Sequence, residues 1–266
     1  MPKLLVTGAS GFLGRATVAR AEARGWEVAG WTSAVDVRDA ALVAERLAEA
    51  APDAVIHTAY VQRGDDAHAV NAAGAGHVAA AARAAGARLV HVSTDAIFAG
   101  DGAVALREED AAAPVTAYGA TKAAAEPLVL AAHPGAVLAR TSLLLGGPGH
   151  EPSPHERLAL AAARGEQDVA FFSDEIRSPI QVDDLAAALV ELAELGDVRG
   201  PLHVAGPDAV SRFELAALVV AAHGLDPALL RGKPAPPDRP RYCPLDCSRA
   251  VALLTARPRG ARALYG

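Results

Sequence analysis

Near its start the chain carries an apolar run that breaks at a glycine and resumes with helical spacing: Lys3-Leu4-Leu5-Val6-Thr7-Gly8-Ala9-Ser10-Gly11-Phe12-Leu13-Gly14. A short apolar run, a glycine turn and an amphipathic segment in that order read as strand, tight turn and helix. Gly8 permits backbone angles closed to other residues, Gly11 lets the main chain lie against a pyrophosphate, and Gly14 lets the helix sit close on the strand. Such a turn offers free backbone N–H groups and the positive end of a helix dipole to phosphate oxygens. The spacing is G-x-x-G-x-x-G rather than G-x-G-x-x-G, a looser form of the dinucleotide fingerprint, and a tight turn that binds nothing is the competing reading.

The pattern then repeats. Trp26 to Trp31 reads as a second strand, Asp39 to Ala51 as a helix with Leu42, Val43, Leu47 and Ala50 on one face, and Asp53 to His57 as a third strand. Ala67 to Ala85 is an alanine-rich helix, Ala87 to Val92 a fourth strand that delivers Ser93-Thr94-Asp95 at its carboxyl end, and Val137 to Thr141 a fifth. This alternation predicts an α/β fold of Rossmann type, a doubly wound parallel sheet with chemistry at the strands' carboxyl ends. Residues 1–145 are expected to form the NAD(P)-binding core. Residues 146–266 are expected to complete it and to form a small C-terminal substrate-binding subdomain. In that half, helices are read at Glu156 to Gly165, at Leu185 to Leu195 capped by Asp183-Asp184, and from Arg212 with a Ser211/Glu214 capping box.

Apolar residues are 52% of the chain but aromatic ones only 4%, so the core must be built from Ala, Val and Leu. A formal charge of −6 offers no basic field, which argues against nucleic acid as a ligand. Cys243 and Cys247 are too few for a disulfide framework, and a reducing compartment is the simpler expectation. No apolar run reaches membrane-spanning length and no leader pattern precedes the first strand, so the expectation is a cytoplasmic protein without membrane association. Homodimerisation stays open, because alanine-rich helices pack equally well within one chain or between two.

The end of the second strand bears on the cofactor. An acidic residue usually holds the adenosine ribose there, and this chain has Trp31-Thr32-Ser33 instead. No carboxylate repels a 2′-phosphate, and Thr32 or Ser33 can donate to one, which favours NADP over NAD; the lack of an arginine at that place argues the other way. Asp36 is read as a helix cap or an adenine contact, and Arg38 as within reach of a phosphate.

Tyr118-x-x-x-Lys122 places a phenol and an ammonium on one helix face, with Thr94 at a neighbouring strand end. The ammonium is expected to lower the tyrosine pKa, letting Tyr118 act as general acid toward a carbonyl held by Thr94 while a nicotinamide delivers hydride. An exposed Tyr and Lys with no role is the competing reading. His57 reads as packed or cofactor-adjacent, and Asn71 as a structural anchor or local cap. His91, His150, His155 and His203 share no metal-ligand spacing, and no G-x-S-x-G elbow is present. Asp101, Glu108, Glu109 and Asp110 read as a solvated loop face, one of them available to Mg2+ beside a nucleotide substrate.

These motifs together resemble the extended short-chain dehydrogenase/reductase superfamily. Within it the chain is most similar to the dTDP-4-dehydrorhamnose reductase, or sugar-nucleotide-binding, group. The resemblance is carried by the Gly8–Gly14 turn, Asp36-Val37, Val92-Ser93-Thr94-Asp95-Ala96-Ile97-Phe98, Tyr118-Gly119-Ala120-Thr121-Lys122, Arg140-Thr141-Ser142, Asp183-Asp184-Leu185-Ala186 and Arg239-Pro240-Arg241-Tyr242-Cys243-Pro244-Leu245-Asp246. It implies Thr94, Tyr118 and Lys122 as the catalytic set. It implies Gly8, Gly11, Phe12, Leu13, Asp36, Val37, Ala59, Tyr60 and Lys122 around the dinucleotide and Ser142 beside the sugar; Ser10, Gly14, Thr32 and Arg38 are further candidates for the dinucleotide, and Arg177 and Arg239 for the substrate. The implied reaction is reduction of the C4 keto group of a nucleotide-linked deoxysugar with NADPH or NADH. Leu143 and Leu145 stand where the group has aromatics, and Arg177-Ser178-Pro179-Ile180 departs from its glycine-containing version. A sugar-nucleotide epimerase or dehydratase, and a non-catalytic NADP-binding regulatory subunit, are the alternatives.

Overall fold

The computed structural model describes residues 1–266. In chain order the principal elements are β1 (Lys3–Thr7), α1 (Phe12–Ala23), β2 (Glu27–Trp31), α2 (Ala40–Ala50), β3 (Ala54–His57), α3 (Gly74–Ala84), β4 (Arg88–Thr94), α4 (Ala117–Ala132), β5 (Val137–Thr141) and β6 (Leu144–Leu145). There follow α5 (Pro154–Ala163), β7 (Ala170–Phe172), β8 (Ile176–Arg177), β9 (Ile180–Gln181), α6 (Val182–Glu194), β10 (Gly200–His203), β11 (Val210–Ser211), α7 (Arg212–Ala222) and β12 (Arg231–Lys233). Short helices at Ser248–Leu253 and Ala261–Tyr265 close the chain.

Six strands form one parallel sheet in the order β10-β5-β4-β3-β1-β2. Order reverses beside β1, where β2 lies on one side and β3 on the other; such a switch point opens a crevice at the strands' carboxyl ends. Both faces are covered, so the inner strands are near-continuous apolar runs: Leu4, Leu5 and Val6 in β1, and Val55 and Ile56 in β3, are fully buried. On one face α1 and α6 enclose Leu13, Ala21, Leu185, Leu189 and Leu192. On the other α2, α3 and α4 pack Val43, Leu47, Val78, Ala82 and Val129. The small residues predicted for the core are what let helices approach the sheet closely.

The second half of the chain serves both units. α6 and β10 complete the sheet layer, whereas β6–β9, β7–β12 and β8–β11 form three two-stranded pairs around a separate apolar cluster of Leu145, Leu160, Phe171, Leu215 and Tyr265. No helix is long and apolar enough to cross a membrane. Cys243 and Cys247 are free thiols.

Several local readings are corrected. The helix expected from Ala67 to Ala85 is broken by a π-helical turn at Ala69–Ala73, which aims the buried Asn71 side chain at Val61 and Thr121. α6 is capped by Gln181, whose side chain accepts from the Asp184 N–H, while Asp183 and Asp184 occupy the first turn and favour the dipole there. Ser211 caps α7 as expected, but Glu214 turns to Arg262 instead of closing the box. The complete capping box lies at Ser153 and Glu156 on α5.

Candidate active site

The glycine turn is built by contact as much as by conformation. Gly8 has φ +68°, and a Cβ there would lie 2.8 Å from the Ala59 nitrogen. A Cβ at Gly14 would strike the Gly8 carbonyl oxygen at 2.1 Å, so this glycine lets α1 sit directly on the turn. α1 starts at Gly11 with no side-chain cap, whereas α2 is capped by Asp39, α4 by Thr116 and α6 by Gln181. The uncapped N–H groups of Phe12 and Leu13, at the positive end of α1 beside the switch point, fit a dinucleotide pyrophosphate. Ala59 and Tyr60 follow β3 against this turn, and Ser10 is exposed on it.

At the end of β2 the expectations divide. Thr32 is exposed, with its hydroxyl accepting from the Ala34 N–H at 3.4 Å. Val37 is buried, and its carbonyl lies 3.0 Å from His77 Nδ1. Asp36 caps no helix; Asp39 does, by accepting from the Ala41 and Leu42 N–H groups. The Arg38 guanidinium is shared between Asp36 at 2.7 Å and Asp66 at 2.8 Å, in part-exposed pairs. Hydrogen bonds from Arg38 hold the Asp36 carboxyl down to about 2. A second arginine near this strand end, not singled out in the sequence, is Arg15, one turn beyond Gly11 on the exposed side of α1. It lines a groove of about 350 Å³ with Ala9, Ser10, Gly30 and Thr32, and pairs with Glu151 at 2.6 Å. Its spacing from Gly11 was the available signal.

Tyr118 is brought to Thr94 by a close approach of α4 to the end of β4. A Cβ on Gly119 would lie 2.1 Å from the Ala96 carbonyl oxygen, so only glycine lets the first turn of α4 rest on the 3-10 turn after β4. Deeper in the helix, Glu126 accepts from Ser93 Oγ at 2.7 Å and from Arg140 at 2.9 and 2.7 Å, locking α4 onto β4 and β5. Thr121 donates to the Tyr118 carbonyl at 2.8 Å and accepts from Asn71, which also brackets Val61. That bracket sets the Tyr60 ring 5.8 Å from the Tyr118 ring.

The titration of Tyr118 differs from expectation. Burial, the Tyr60 phenol and the Asp95 carboxylate raise its pKa above the ordinary value, and the opposing Arg177 charge and Thr94 hydroxyl do not cancel them. Lys122 does not lower it, because the amine is turned to β4: Nζ donates to the Val92 carbonyl at 2.8 Å and lies 3.2 Å from His91 Nε2. Burial pushes the Lys122 pKa down to about 8, partly opposed by Glu126. Behind it, His57 and His91 stack with centroids 5.2 Å apart, and Thr7 Oγ1 lies 2.6 Å from His57 Nδ1.

On the other side of Tyr118 lies a buried charged network. Asp95, fully buried, accepts two hydrogen bonds from Arg177 and one from Ser142 Oγ. Arg177 lies 3.4 Å from Glu175, which in turn takes Arg239 at 2.9 and 3.0 Å. The three residues expected near the sugar nucleotide are thus joined through two carboxylates. Ser142 and Arg177 are buried with their polar atoms engaged inside the protein, whereas Arg239 is partly exposed and lies over the Phe172 ring at 5.5 Å. Leu143 and Leu145 pack into the apolar cluster of the small lobe. No group of three or more His, Cys, Asp or Glu side chains is arranged to hold a metal ion. Glu108 and Asp110, set aside for Mg2+ by the sequence, instead accept from the His203 and Arg107 N–H groups.

A parallel switch-point sheet, an uncapped glycine-turn helix and a Tyr-x-x-x-Lys pair beside a strand-end threonine define an NAD(P)-dependent oxidoreductase of the extended short-chain dehydrogenase/reductase type. The sequence model of the RmlD substrate binding domain family matches residues 2–263. The dTDP-4-dehydrorhamnose reductase of Mycobacterium tuberculosis (strain H37Rv) is 40% identical over 275 residues, spanning 96% of this chain and 88% of that protein. Methionine adenosyltransferase 2 subunit beta of Bos taurus is 29% identical, spanning 94% and 82%. Among solved structures, dTDP-4-dehydrorhamnose reductase from Bacillus anthracis in complex with NADP superposes with a TM-score of 0.86 at 25% identity, covering 99% of this chain and 96% of that one. The chain belongs to the RmlD substrate binding domain family.

Proposed function

We propose that this protein reduces the C4 keto group of a nucleotide-linked 4-keto-6-deoxysugar using NADPH or NADH. The observation that carries the reading is the approach of Tyr118 to Thr94 at the carboxyl end of β4, with Lys122 one turn along α4 anchored on that strand, in a sheet whose switch point holds the uncapped start of α1. When bound, the dihydronicotinamide supplies the hydride. Tyr118, kept protonated by burial and Asp95, is in the form a general acid needs, and donates its phenolic proton to the carbonyl oxygen as that oxygen gains charge. Thr94 holds the carbonyl oxygen, and Lys122, turned to β4 rather than to Tyr118, supplies positive charge at the floor of the site. Arg239, the partly exposed end of the charged network, faces the substrate's phosphates, while Ser142 and Arg177 act by fixing Asp95 beside Tyr118. Arg15, exposed beside Gly30 and Thr32 with the exposed Glu151 as its one carboxylate partner, supports NADP as a guanidinium that can turn to a 2′-phosphate, whereas Arg38 is shared between two carboxylates.

Steady oxidation of NADPH followed at 340 nm with a dTDP-4-keto-6-deoxyhexose tests the reading, with NADH run in parallel for the cofactor. Turnover is expected with both cofactors, and faster with NADPH. Product formation without net cofactor oxidation would assign an epimerase or dehydratase. Tight NADP binding without turnover would assign a binding subunit.

A further inference from the structure

His91 sits in the middle of β4, the central strand between His57 on β3 and Leu138 on β5. Its neighbours along the strand are Val90 and Val92, and a leucine or valine would suit the position. Instead a ring nitrogen goes unsatisfied: His91 Nδ1 is buried with no hydrogen-bond partner, as is His57 Nε2. Unpaired polar atoms in a dry core are costly and call for an explanation. What an imidazole offers here that an aliphatic side chain does not is an acceptor for Lys122.

The hydrogen-bond chemistry fixes the direction. An ammonium has only donors, so Nε2 of His91 must accept from Lys122 Nζ, and the ring hydrogen then sits on the orphaned Nδ1. The ring is neutral, since burial and the Lys122 charge both hold His91 well below its ordinary pKa. Of the three ammonium donors, two are taken by His91 Nε2 and the Val92 carbonyl, which together fix where the charge sits. The groups facing this pair are His57 from β3 and Glu126 from α4, with Arg140 of β5 paired to Glu126. Glu126 is the one carboxylate among them, and its oxygens are committed to Ser93 and Arg140.

We propose that His91 is a positioning residue of the site: its Nε2 anchors the Lys122 ammonium, and His57, stacked behind it and tied to Thr7, fixes the ring. Its effect on catalysis rests on the proposed role of Lys122, but the anchoring can be measured without substrate. Lys3, Lys122 and Lys233 are the only lysines in the chain, so protein labelled with 13C at the lysine ε-carbon gives three resonances, and Lys122→Met assigns the buried one.

In the wild type Lys122 is expected to titrate near 8, below the ordinary lysine value, because of its burial. In His91→Leu and in His91→Phe, which keeps an aromatic ring against His57, a buried cation loses one of two acceptors. Its titration should fall by about one unit or more, and the alkaline limb of kcat/KM should move down with it, about tenfold per unit on that limb. His91→Gln, with an acceptor at similar reach, should restore both. If His91 only stabilises the fold and anchors nothing, the variants lower amplitudes without moving the titration, which overturns the proposal. If neither apolar variant folds, His91→Asn, whose amide is too short to span to Nζ, should show the same downward shift. A Lys122 titration that stays in place or rises in the variants that fold overturns the proposal. The expected titration shifts in a protein that oxidises no NADPH would instead overturn the reductase reading and leave the anchoring intact.

Discussion

Tyr118 stands between two polar systems built on opposite principles. Toward the sheet, Lys122 is held by neutral partners, an imidazole and a carbonyl, in a layer supplied by β3, β4 and α4. Toward the small lobe, Asp95, Arg177, Glu175 and Arg239 alternate in sign, and each charge is balanced by the next. The first system leaves one charge little solvated and so open to tuning. The second fixes geometry, because a buried ion pair contributes little net stability yet is severe to break: removing one partner costs about 3–5 kcal/mol, since the other charge stays buried alone.

The largest expected effect separates chemistry from both systems. Tyr118→Phe keeps the ring and removes the proton, so kcat should fall by about 10²–10⁴-fold with cofactor binding unchanged, measured by NADPH oxidation and by cofactor titration. Turnover within a few-fold of wild type would remove Tyr118 as general acid. Next is the charged side. Arg177→Met strands the Asp95 carboxylate and should cost about 3–5 kcal/mol in urea unfolding, and adding Asp95→Asn should recover part of the loss. Equal stability of single and double variants would show that the pair is not coupled.

The neutral side should respond to pH instead. Burial and the Lys122 charge depress the His57 pKa from 6.5 to about 3. Below pH 6.5 the unfolded chain therefore binds a proton that the folded chain refuses. That contribution to stability is full above pH 6.5 and is lost as pH falls toward 3, at about 1.4 kcal/mol per pH unit. Denaturant unfolding between pH 7 and 4 should show His57→Leu with a shallower acid loss than wild type. Parallel curves would mean that His57 does not carry it.

Much of this arrangement is legible from residue order. The apolar run before Gly8, the helix on which Tyr118 and Lys122 share a face, and the strand ending in Thr94 are local patterns, and local backbone preferences suffice to read them. The Asn71 anchor is partly legible, while the π-helical turn that aims it is not, because it arises from the contacts Asn71 makes with Val61 and Thr121. Arg38 illustrates the limit. Its nearness to the cofactor strand could be read, but its pairing with Asp66 across a loop could not.

Residue order alone carries the doubly wound parallel sheet, the glycine turn, and the spacing of Thr94, Tyr118 and Lys122, since each rests on a pattern within one or two elements. Only the tertiary structure decided which partner each polar group took. Asp95 meets Arg177 across 82 residues, and Lys122 meets His91 across 31. Burial then reversed an expectation that charge alone had suggested: the Tyr118 pKa rises, because removing a phenolate from water outweighs an ammonium that faces the other way.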